Sequence, residues 1–325
     1  MKSLRQPVTA FPHFMHGGDY NPEQWTPDVW DEDVRLMKLA HCNTATVGVF
    51  SWAKLEPSDG VFEFGWLDAI LDKLGKQGTR IILATPGGAK PAWLAKAYPE
   101  TLRVTAERRR KLWEGRHNHC FTSPQFRRLA QRINTKLAER YTDHPTLTLW
   151  HVNNEYSGDC HCDLCQAAFR RWLRQRYENS LDKLNHAWWT TFWAHTITDW
   201  EQIESPSPLG HRIVHGLNLD WKRFVTDQTI DCFRAESEPL RRITPNVPIT
   251  TNFIGGYAGL DYNKLARACD VVSWDSYPAY HNRPDDWLGA VVVSFLHAQR
   301  RAMLDRPFLL MECARRSRTT SPSAR

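Results

Sequence analysis

The sequence predicts an α/β fold, an incomplete (β/α)8 TIM barrel with about seven strands and the eighth missing. Short apolar segments alternate along the 325 residues with segments of helical periodicity, which indicates parallel βαβ units. Polar and acidic side chains follow several of the apolar segments, and in such barrels the chemistry lies at the carboxyl ends of the strands. Seven strands of this kind are too many for a chain that is divided into two typical domains, and they are one fewer than a closed (β/α)8 barrel contains.

The predicted strands are short runs rich in β-branched and aromatic residues, most of them bounded by turn residues. They lie at 14–20, 44–50, 79–85, 147–152, 247–253, 270–274 and 307–312. A doubly wound sheet is the alternative, and it usually carries a Gly-rich phosphate loop after a strand. Gly87-Gly88 and Gly255-Gly256 do not match G-x-G-x-x-G, so the sequence shows no nucleotide site.

The predicted helices are identified by their caps and their apolar periodicity. Thr26-Pro27-Asp28 has the pattern of a helix start, and Ser123-Pro124 opens another helix. Further helices are predicted before Gly78, from about 219 to 242 and from about 286 to 304. Residues 163–210 are predicted to be a helical insertion rich in aromatic residues.

Charge and composition exclude several classes of protein. The chain has 42 basic and 36 acidic residues, a net charge of +6, and four arginines of the tail 314–325 supply +4 of it. The remaining +2 gives no basis for nucleic-acid binding. No apolar run reaches transmembrane length, and the N-terminus lacks the apolar stretch of a signal peptide, so we expect a cytoplasmic protein.

The segment 147–165 is the most informative stretch. A buried strand runs into Asn154-Glu155, and Cys160, His161, Cys162 and Cys165 follow within ten residues. Eight cysteines without a secretion signal favour reduced thiols or a metal over a disulfide framework. Zinc prefers four tetrahedral thiolate or imidazole ligands, and the alternative is a set of unpaired buried thiols.

Six segments resemble glycoside hydrolase family 42, the β-galactosidases, from about residue 12 to residue 313. They are HGGDYNPEQW at 16–25, VFSWAKLEP at 49–57, HVNNEYSGDCHCDLC at 151–165, TNFIG at 251–255, SWDSYP at 273–278 and FLLMEC at 308–313. The resemblance implies a barrel of the retaining-glycosidase clan that hydrolyses terminal non-reducing β-D-galactose residues. It makes 1–313 the catalytic barrel and leaves 314–325 as a basic tail outside the family pattern.

The resemblance also assigns roles to single residues. Glu312 would be the nucleophile and Glu155 the acid/base, with a pKa raised by burial and repulsion, and retaining enzymes place two such carboxyls about 5–5.5 Å apart. Asn154 would bind the sugar 2-hydroxyl. Arg116 would keep Glu312 ionised and Tyr277 would donate to it; the alternatives are a surface cation and a packing residue. Trp193 is a candidate sugar platform or a core residue, and Phe253 and Asp275 are further candidates.

Cys120 matches the fourth ligand of the family's zinc site, so the resemblance implies structural zinc on Cys120, Cys160, Cys162 and Cys165. No cofactor is expected for catalysis, and a homotrimer is the family's assembly. The competing hypothesis is an inactive, truncated remnant or a sugar-binding fragment, because the sequence after Cys313 shows neither a strand nor a helix pattern.

Overall fold

The computed structural model of the chain describes residues 14–278 and 287–313 and shows parallel strands alternating with helices. The strands are β1 Gly17–Tyr20, β2 Thr44–Val47, β3 Arg80–Ala84, β4 Leu147–His151, β5 Ile249–Thr250, β6 Asn252–Phe253, β7 Ser273–Ser276 and β8 Leu309–Cys313. All recorded strand pairs are parallel. The predicted fold class is therefore confirmed: the chain forms part of a TIM barrel.

The strands form two sheets rather than one. One sheet has the order β1-β2-β3-β4-β5 and the other β6-β7-β8. The predicted strand 247–253 is divided between them at Thr251, whose carbonyl accepts a hydrogen bond of 2.9 Å from the Ser273 hydroxyl. The seven predicted strands are therefore present, with the fifth in two short pieces.

The helices are α1 Pro27–Leu39, α2 Trp52–Leu55, α3 Gly65–Lys76, α4 Ala92–Ala97, α5 Pro124–Tyr141, α6 Asp163–Arg176, α7 Leu181–Trp188, α8 His215–Ile243, α9 Tyr262–Ala266 and α10 Trp287–Leu304. Five of them, α1, α3, α5, α8 and α10, lie close to their predicted positions, α6 and α7 lie in the predicted insertion, and the short α2, α4 and α9 were not predicted. Ser123 caps α5 because its hydroxyl accepts the Phe126 N–H at 3.3 Å, while Pro124 stands where no intrahelical donor is needed.

One large apolar core joins the strands to the helices. The inner face of α3 is buried through Leu67, Ile70, Leu71 and Leu74, at the spacing expected of a helix that covers a sheet. Burial of each such side chain stabilises the fold by about 1.5–3 kcal/mol. Trp150 of β4 is fully buried and donates from its indole N–H to the Thr244 hydroxyl at 2.9 Å, which ties β4 to the end of α8.

The flank formed by β1, β8 and α10 is exposed. Within the described residues β1 pairs only with β2 and β8 only with β7. Gly17, Gly18 and Asp19 of β1 are exposed, and α10 presents a row of exposed apolar side chains: Trp287, Leu288, Val291, Val292 and Phe295. A closed barrel would cover both surfaces with a further strand and helix. The tail 314–325 lies outside the described residues.

The predicted insertion at 163–210 contains α6, α7 and three short 3-10 turns. Phe169 of α6 packs edge-on against Trp221 of α8, with ring centroids 5.1 Å apart, so the segment rests on the helix that follows it. In the described part of the chain, none of the helices is both long and apolar enough to span a membrane.

Candidate active site

The site begins where β4 ends. His151 is the last residue of β4, and Asn153, Asn154 and Glu155 follow with little or no exposure. Asn153 and Glu155 have φ values of 60° and 44°, in the left-handed region that L side chains rarely adopt. Such backbone costs on the order of 1–3 kcal/mol per residue and is retained at sites where a side chain must be aimed. Here it turns the Glu155 carboxylate across the barrel mouth.

Three carboxyl groups meet at the ends of β4, β7 and β8. One oxygen from each of Glu155, Asp275 and Glu312 lies within 4.8 Å of the other two. Asp275 belongs to β7 and faces Glu312 in the register between β7 and β8. The two carboxylates singled out in the sequence thus lie together, and Asp275, a secondary candidate, lies with them.

Glu312 is hydrogen-bonded on both of its oxygens. The Tyr277 hydroxyl donates to Oε2, and the Asn252 amide donates to Oε1 at 3.1 Å. Burial raises the pKa of Glu312, the Tyr277 hydrogen bond lowers it, and the charge of Glu155 raises it. Tyr277 therefore occupies the predicted position beside Glu312, and its donation favours the ionised form of Glu312.

Asp275 is nearly inaccessible to solvent and holds a proton at neutral pH. Burial, reinforced by the charges of Glu312 and Glu155, raises the pKa of Asp275 to about 10. Its Oδ2 accepts the Asn252 amide at 2.7 Å. A neutral Asp275 adds no further negative charge to the space that it shares with Glu155 and Glu312.

Arg116 contacts a different carboxylate from the one expected. Its Nη2 donates to Glu155 Oε2 at 2.6 Å, whereas the family resemblance implied that it acts on Glu312. Its charge still lowers the pKa of Glu312, but less than the Tyr277 hydrogen bond does. The Arg116 side chain is half exposed, so solvent screens the pair. The long loop before α5 carries Arg116 to the β4 side of the cleft, and this explains the difference.

Asn154 is fully buried beside the carboxylates. Its Oδ1 accepts the Asn252 amide at 3.1 Å. Its Nδ2 has no partner among the described residues, and a buried amide donor without a partner costs about 1–3 kcal/mol. A ligand hydroxyl would satisfy that donor, which is consistent with the predicted role of Asn154.

Trp193 and Phe253 do not join the carboxylate cluster. The Trp193 side chain is 67% exposed, and its ring stacks on Phe192 with centroids 5.3 Å apart. Phe253 is fully buried and stacks on Tyr262 of α9 at 4.6 Å, because alternate residues of a strand point to opposite faces and Phe253 follows inward-facing Asn252. Phe253 is thus a packing residue on the helix side of β6.

Two functional residues had no role assigned from the sequence. Asn252 contacts all three carboxyl residues at the site, and Glu236 of α8 accepts hydrogen bonds from Asn153 at 3.1 and 3.3 Å. The position of Asn252 at the end of an apolar strand was the available signal. Glu236 gave none, because it lies inside a long helix whose charged residues mostly face solvent.

A second cluster joins the loops after β3 and β4 to the first turn of α6. The sulfur atoms of Cys120, Cys160, Cys162 and Cys165 all lie within 4.8 Å of one another, and Cys120 is 3.6 Å from Cys162 and 3.4 Å from Cys165. These distances exceed a disulfide bond of about 2.05 Å. They approach the roughly 3.8 Å between sulfurs at the corners of a tetrahedron with Zn–S bonds of about 2.3 Å.

Polar neighbours of the thiols favour negative charge on sulfur. The Val104 N–H donates to Cys160 Sγ at 3.4 Å. Arg103 and Lys90 are both buried; burial lowers the pKa of each, and negative charge on Cys120 and Cys160 counteracts the fall. Two buried cations would offset the −2 charge of a zinc ion held by four thiolates.

His161 is not available as an alternative ligand. Its Nδ1 is 2.7 Å from the Ser205 hydroxyl and its Nε2 is 3.1 Å from the Asp159 carboxylate. Its ring stacks on Trp221 with centroids 4.7 Å apart. Both ring nitrogens are therefore engaged by Ser205 and Asp159.

The curated proteins that are similar in sequence to this chain include β-galactosidases. A β-galactosidase of Bacillus subtilis (strain 168) is 55% identical over 311 residues, covering 92% of this chain and 46% of that protein. A β-galactosidase of Alicyclobacillus acidocaldarius is 56% identical over 301 residues, covering 92% and 44%. The chain thus spans a little under half the length of these relatives.

The solved structures that are similar to this chain also include β-galactosidases. The β-galactosidase from Rahnella sp. R3 superposes with a TM-score of 0.91 at 50% identity, covering 92% of this chain and 44% of that one. A β-amylase catalytic domain from Paenibacillus polymyxa shares the fold alone, with a TM-score of 0.66 at 13% identity. The family profile described as "Beta-galactosidase" matches residues 19–322, and so extends past residue 313, where the resemblance was expected to end. The chain belongs to glycoside hydrolase family 42.

Proposed function

We propose that this chain is the catalytic barrel of a retaining β-galactosidase, with Glu312 as nucleophile and Glu155 as acid/base. The observation that carries the proposal is the approach of their carboxylate oxygens to within 4.8 Å. Retaining glycosidases have carboxyl separations of about 5–5.5 Å, whereas inverting enzymes need about 6.5–9.5 Å to admit a water molecule. The substrate class, terminal β-D-galactosides, follows from the relatives named above.

The reaction would proceed by two displacements. In the first, a Glu312 oxygen forms a bond to the anomeric carbon as the glycosidic C–O bond breaks, and the proton of Glu155 passes to the leaving oxygen. In the second, the Glu155 carboxylate takes a proton from water, the water oxygen bonds to the anomeric carbon, and the ester to Glu312 breaks. Both carboxyl groups then return to their initial states, and the anomeric configuration is retained.

The hydrogen bonds of the site are suited to these steps. Tyr277 and Asn252 stabilise the Glu312 carboxylate before attack and after release. Arg116 pairs with Glu155 in its charged form, which is the form required for water activation. Protonating the leaving oxygen requires the neutral form, so we propose that a sugar hydroxyl accepts the Arg116 hydrogen bond when substrate enters the cleft, and that Glu155 then takes up a proton from solvent before the first displacement.

The proposal is tested by trapping the covalent intermediate. A 2,4-dinitrophenyl 2-deoxy-2-fluoro-β-galactoside should label Glu312, because the fluorine slows both steps while the reactive leaving group lets only the first proceed. Mass spectrometry of peptides should find the label on Glu312, lose it in Glu312→Gln and keep it in the exposed control Glu100→Gln. Label on another carboxylate, or an α-configured first product by NMR, would contradict the proposal.

The alternative is a sugar-binding or inactive fragment, and one observation favours it. Glu312 lies on β8, which pairs only with β7 in the described residues and borders the exposed flank. A nucleophile displaced by about 1 Å can lose on the order of a hundredfold in rate. Galactose binding by calorimetry, together with neither hydrolysis nor trapping, would establish this alternative.

We further propose that zinc binds Cys120, Cys160, Cys162 and Cys165 in a structural role. The donor set fits: four mutually close thiols supply a closed tetrahedral shell, and the buried cations Lys90 and Arg103 offset its charge. Elemental analysis of the purified protein should give one zinc per chain, and an absence of zinc would refute the proposal. Reduced thiols are typical of the cytoplasm, and we propose that location for the protein. The homotrimer stays a separate prediction.

A further inference from the structure

Asn252 lies at the gap between the two sheets. It is the first residue of β6, it is 1% exposed, and it follows the interruption at Thr251. Glu155 extends from the sheet β1–β5, whereas Glu312 belongs to the sheet β6–β8. The two carboxylates proposed to react with one sugar therefore stand on different sheets, and their separation depends on what joins the sheets at this level.

The Asn252 side chain makes that connection. Its Oδ1 accepts the main-chain N–H of Glu155 at 2.8 Å, and this donor fixes which end of the amide is oxygen. The Nε2 of His151 lies 2.9 Å from the same oxygen, so His151 carries its proton there. The Nδ2 of Asn252 then faces Asn154 Oδ1 at 3.1 Å, Asp275 Oδ2 at 2.7 Å and Glu312 Oε1 at 3.1 Å.

We propose that Asn252 is the positioning residue that sets the distance between Glu155 and Glu312 and holds Glu312 in its charged form. The proposal rests on the function proposed above. Two features set this amide apart from ordinary packing. It accepts from the backbone of one carboxylate residue and donates to the side chain of the other, and its two amide protons are shared among three oxygen acceptors.

An isosteric change isolates the amide protons. Asn252→Asp keeps the shape and the oxygen that accepts from Glu155, but it replaces the donor by an oxygen that faces the carboxyls of Asp275 and Glu312. The titration midpoint of Glu312 should then rise by about one pH unit or more, since a donor to the carboxylate is lost and a competing carboxyl is gained. A residue that merely packs would lower stability and leave that midpoint unchanged.

The experiment uses the full chain labelled with [δ-13C]glutamate. The carboxyl resonance of Glu312, assigned through Glu312→Gln, is followed from acid to alkaline pH in wild type, in Asn252→Asp and in Asn252→Ser, a smaller neutral variant that should still fold. Asn134→Asp is the matched control: Asn134 is equally buried and donates its amide to the Glu236 carbonyl at 2.8 Å, away from the carboxylates.

A raised Glu312 midpoint in both Asn252 variants, with none in Asn134→Asp, is the expected result. An unchanged midpoint in the folded Asn252 variants would overturn the proposal. Where the wild-type chain hydrolyses a β-galactoside, Asn252→Asp should also lower kcat/KM about 10- to 100-fold, the value of one hydrogen bond to a charged group, and shift the acidic limb of the pH profile upward. A wild-type chain without turnover or trapping would refute the proposed function, while the NMR titration would still decide the role of Asn252.

Discussion

Replacing Asp275 by asparagine should stabilise this protein, and the gain should grow with pH. Asp275 lies at the end of β7, is 3% exposed, and shares its space with the carboxyls of Glu155 and Glu312. Its Oδ2 accepts the Asn252 amide at 2.7 Å, and an asparagine oxygen can keep that hydrogen bond. The side-chain NH2 of Asp275→Asn would then occupy the place of the carboxylic acid O–H and donate to the neighbouring carboxylates.

The magnitude follows from the proton that folding imposes on Asp275. Its pKa rises from 3.8 to about 10 on folding, chiefly through burial, so between these pH values the folded state holds a proton that the unfolded state has released. The stability that this proton provides is complete below pH 3.8 and is lost as the pH rises toward 10. Each pH unit costs at most about 1.4 kcal/mol. Because relaxation and the coupled carboxyls weaken the effect, we expect about 1–2 kcal/mol between pH 6 and pH 8.

Urea unfolding at pH 6, 7 and 8 measures this directly. The wild-type free energy of unfolding should fall across the range, and Asp275→Asn should remove about 1–2 kcal/mol of that fall. Asp143→Asn, at an exposed position before β4, is the matched control. It should change neither the free energy of unfolding nor its dependence on pH. A parallel shift of the Asp275→Asn and wild-type curves, or a less stable variant at pH 8, would show that Asp275 is ionised in the folded protein and refute the reasoning.

Three further predictions concern the thiol cluster and the exposed flank. Cys120→Ser should abolish zinc retention after gel filtration and lower the melting temperature, with the buried but separate Cys232→Ser as control; equal zinc content in the two variants would contradict this. Arg103→Met should increase the rate of zinc loss to a chelator severalfold, because it removes a buried cation from beside the thiolates, whereas exposed Arg109→Met should not. Phe295→Glu, on the exposed face of α10, should reduce self-association, measured as light scattering at high protein concentration. Unchanged scattering would show that the protein does not associate through this face.

The positions of the strands could be predicted from local sequence, because they are short apolar segments and several of them end in a polar residue. Strand-end position made Glu155 and Glu312 candidates, because in parallel units all strand ends meet at one face of the barrel, and the family resemblance selected them from the other polar strand ends. The prediction that Cys160, Cys162 and Cys165 form a thiol cluster depended mainly on their spacing within six positions. These features are encoded by neighbouring residues, so the sequence displays them directly.

Contacts between distant loops could not be predicted in the same way. Arg116 was expected beside Glu312 but pairs with Glu155, because the path of the loop before α5 decides which carboxylate it reaches. Trp193 was a candidate sugar platform, and the structure leaves it exposed on the insertion. The protonation of Asp275 also escaped sequence reasoning, since it depends on how much water three converging strands exclude.

The two carboxylates differ in how firmly the fold holds them, and this difference governs what the chain can do. Glu155 is 7% exposed and follows β4, which has neighbours on both sides. Glu312 is only partly buried on β8, which has one strand neighbour in the described residues, and its side chain is held by Tyr277 and Asn252. Because the hydrolysis proposed above would need both groups placed to within about 1 Å, the weaker support would limit it. Activity should therefore respond first to changes at the β8 flank, while the Glu155 side of the cleft stays intact.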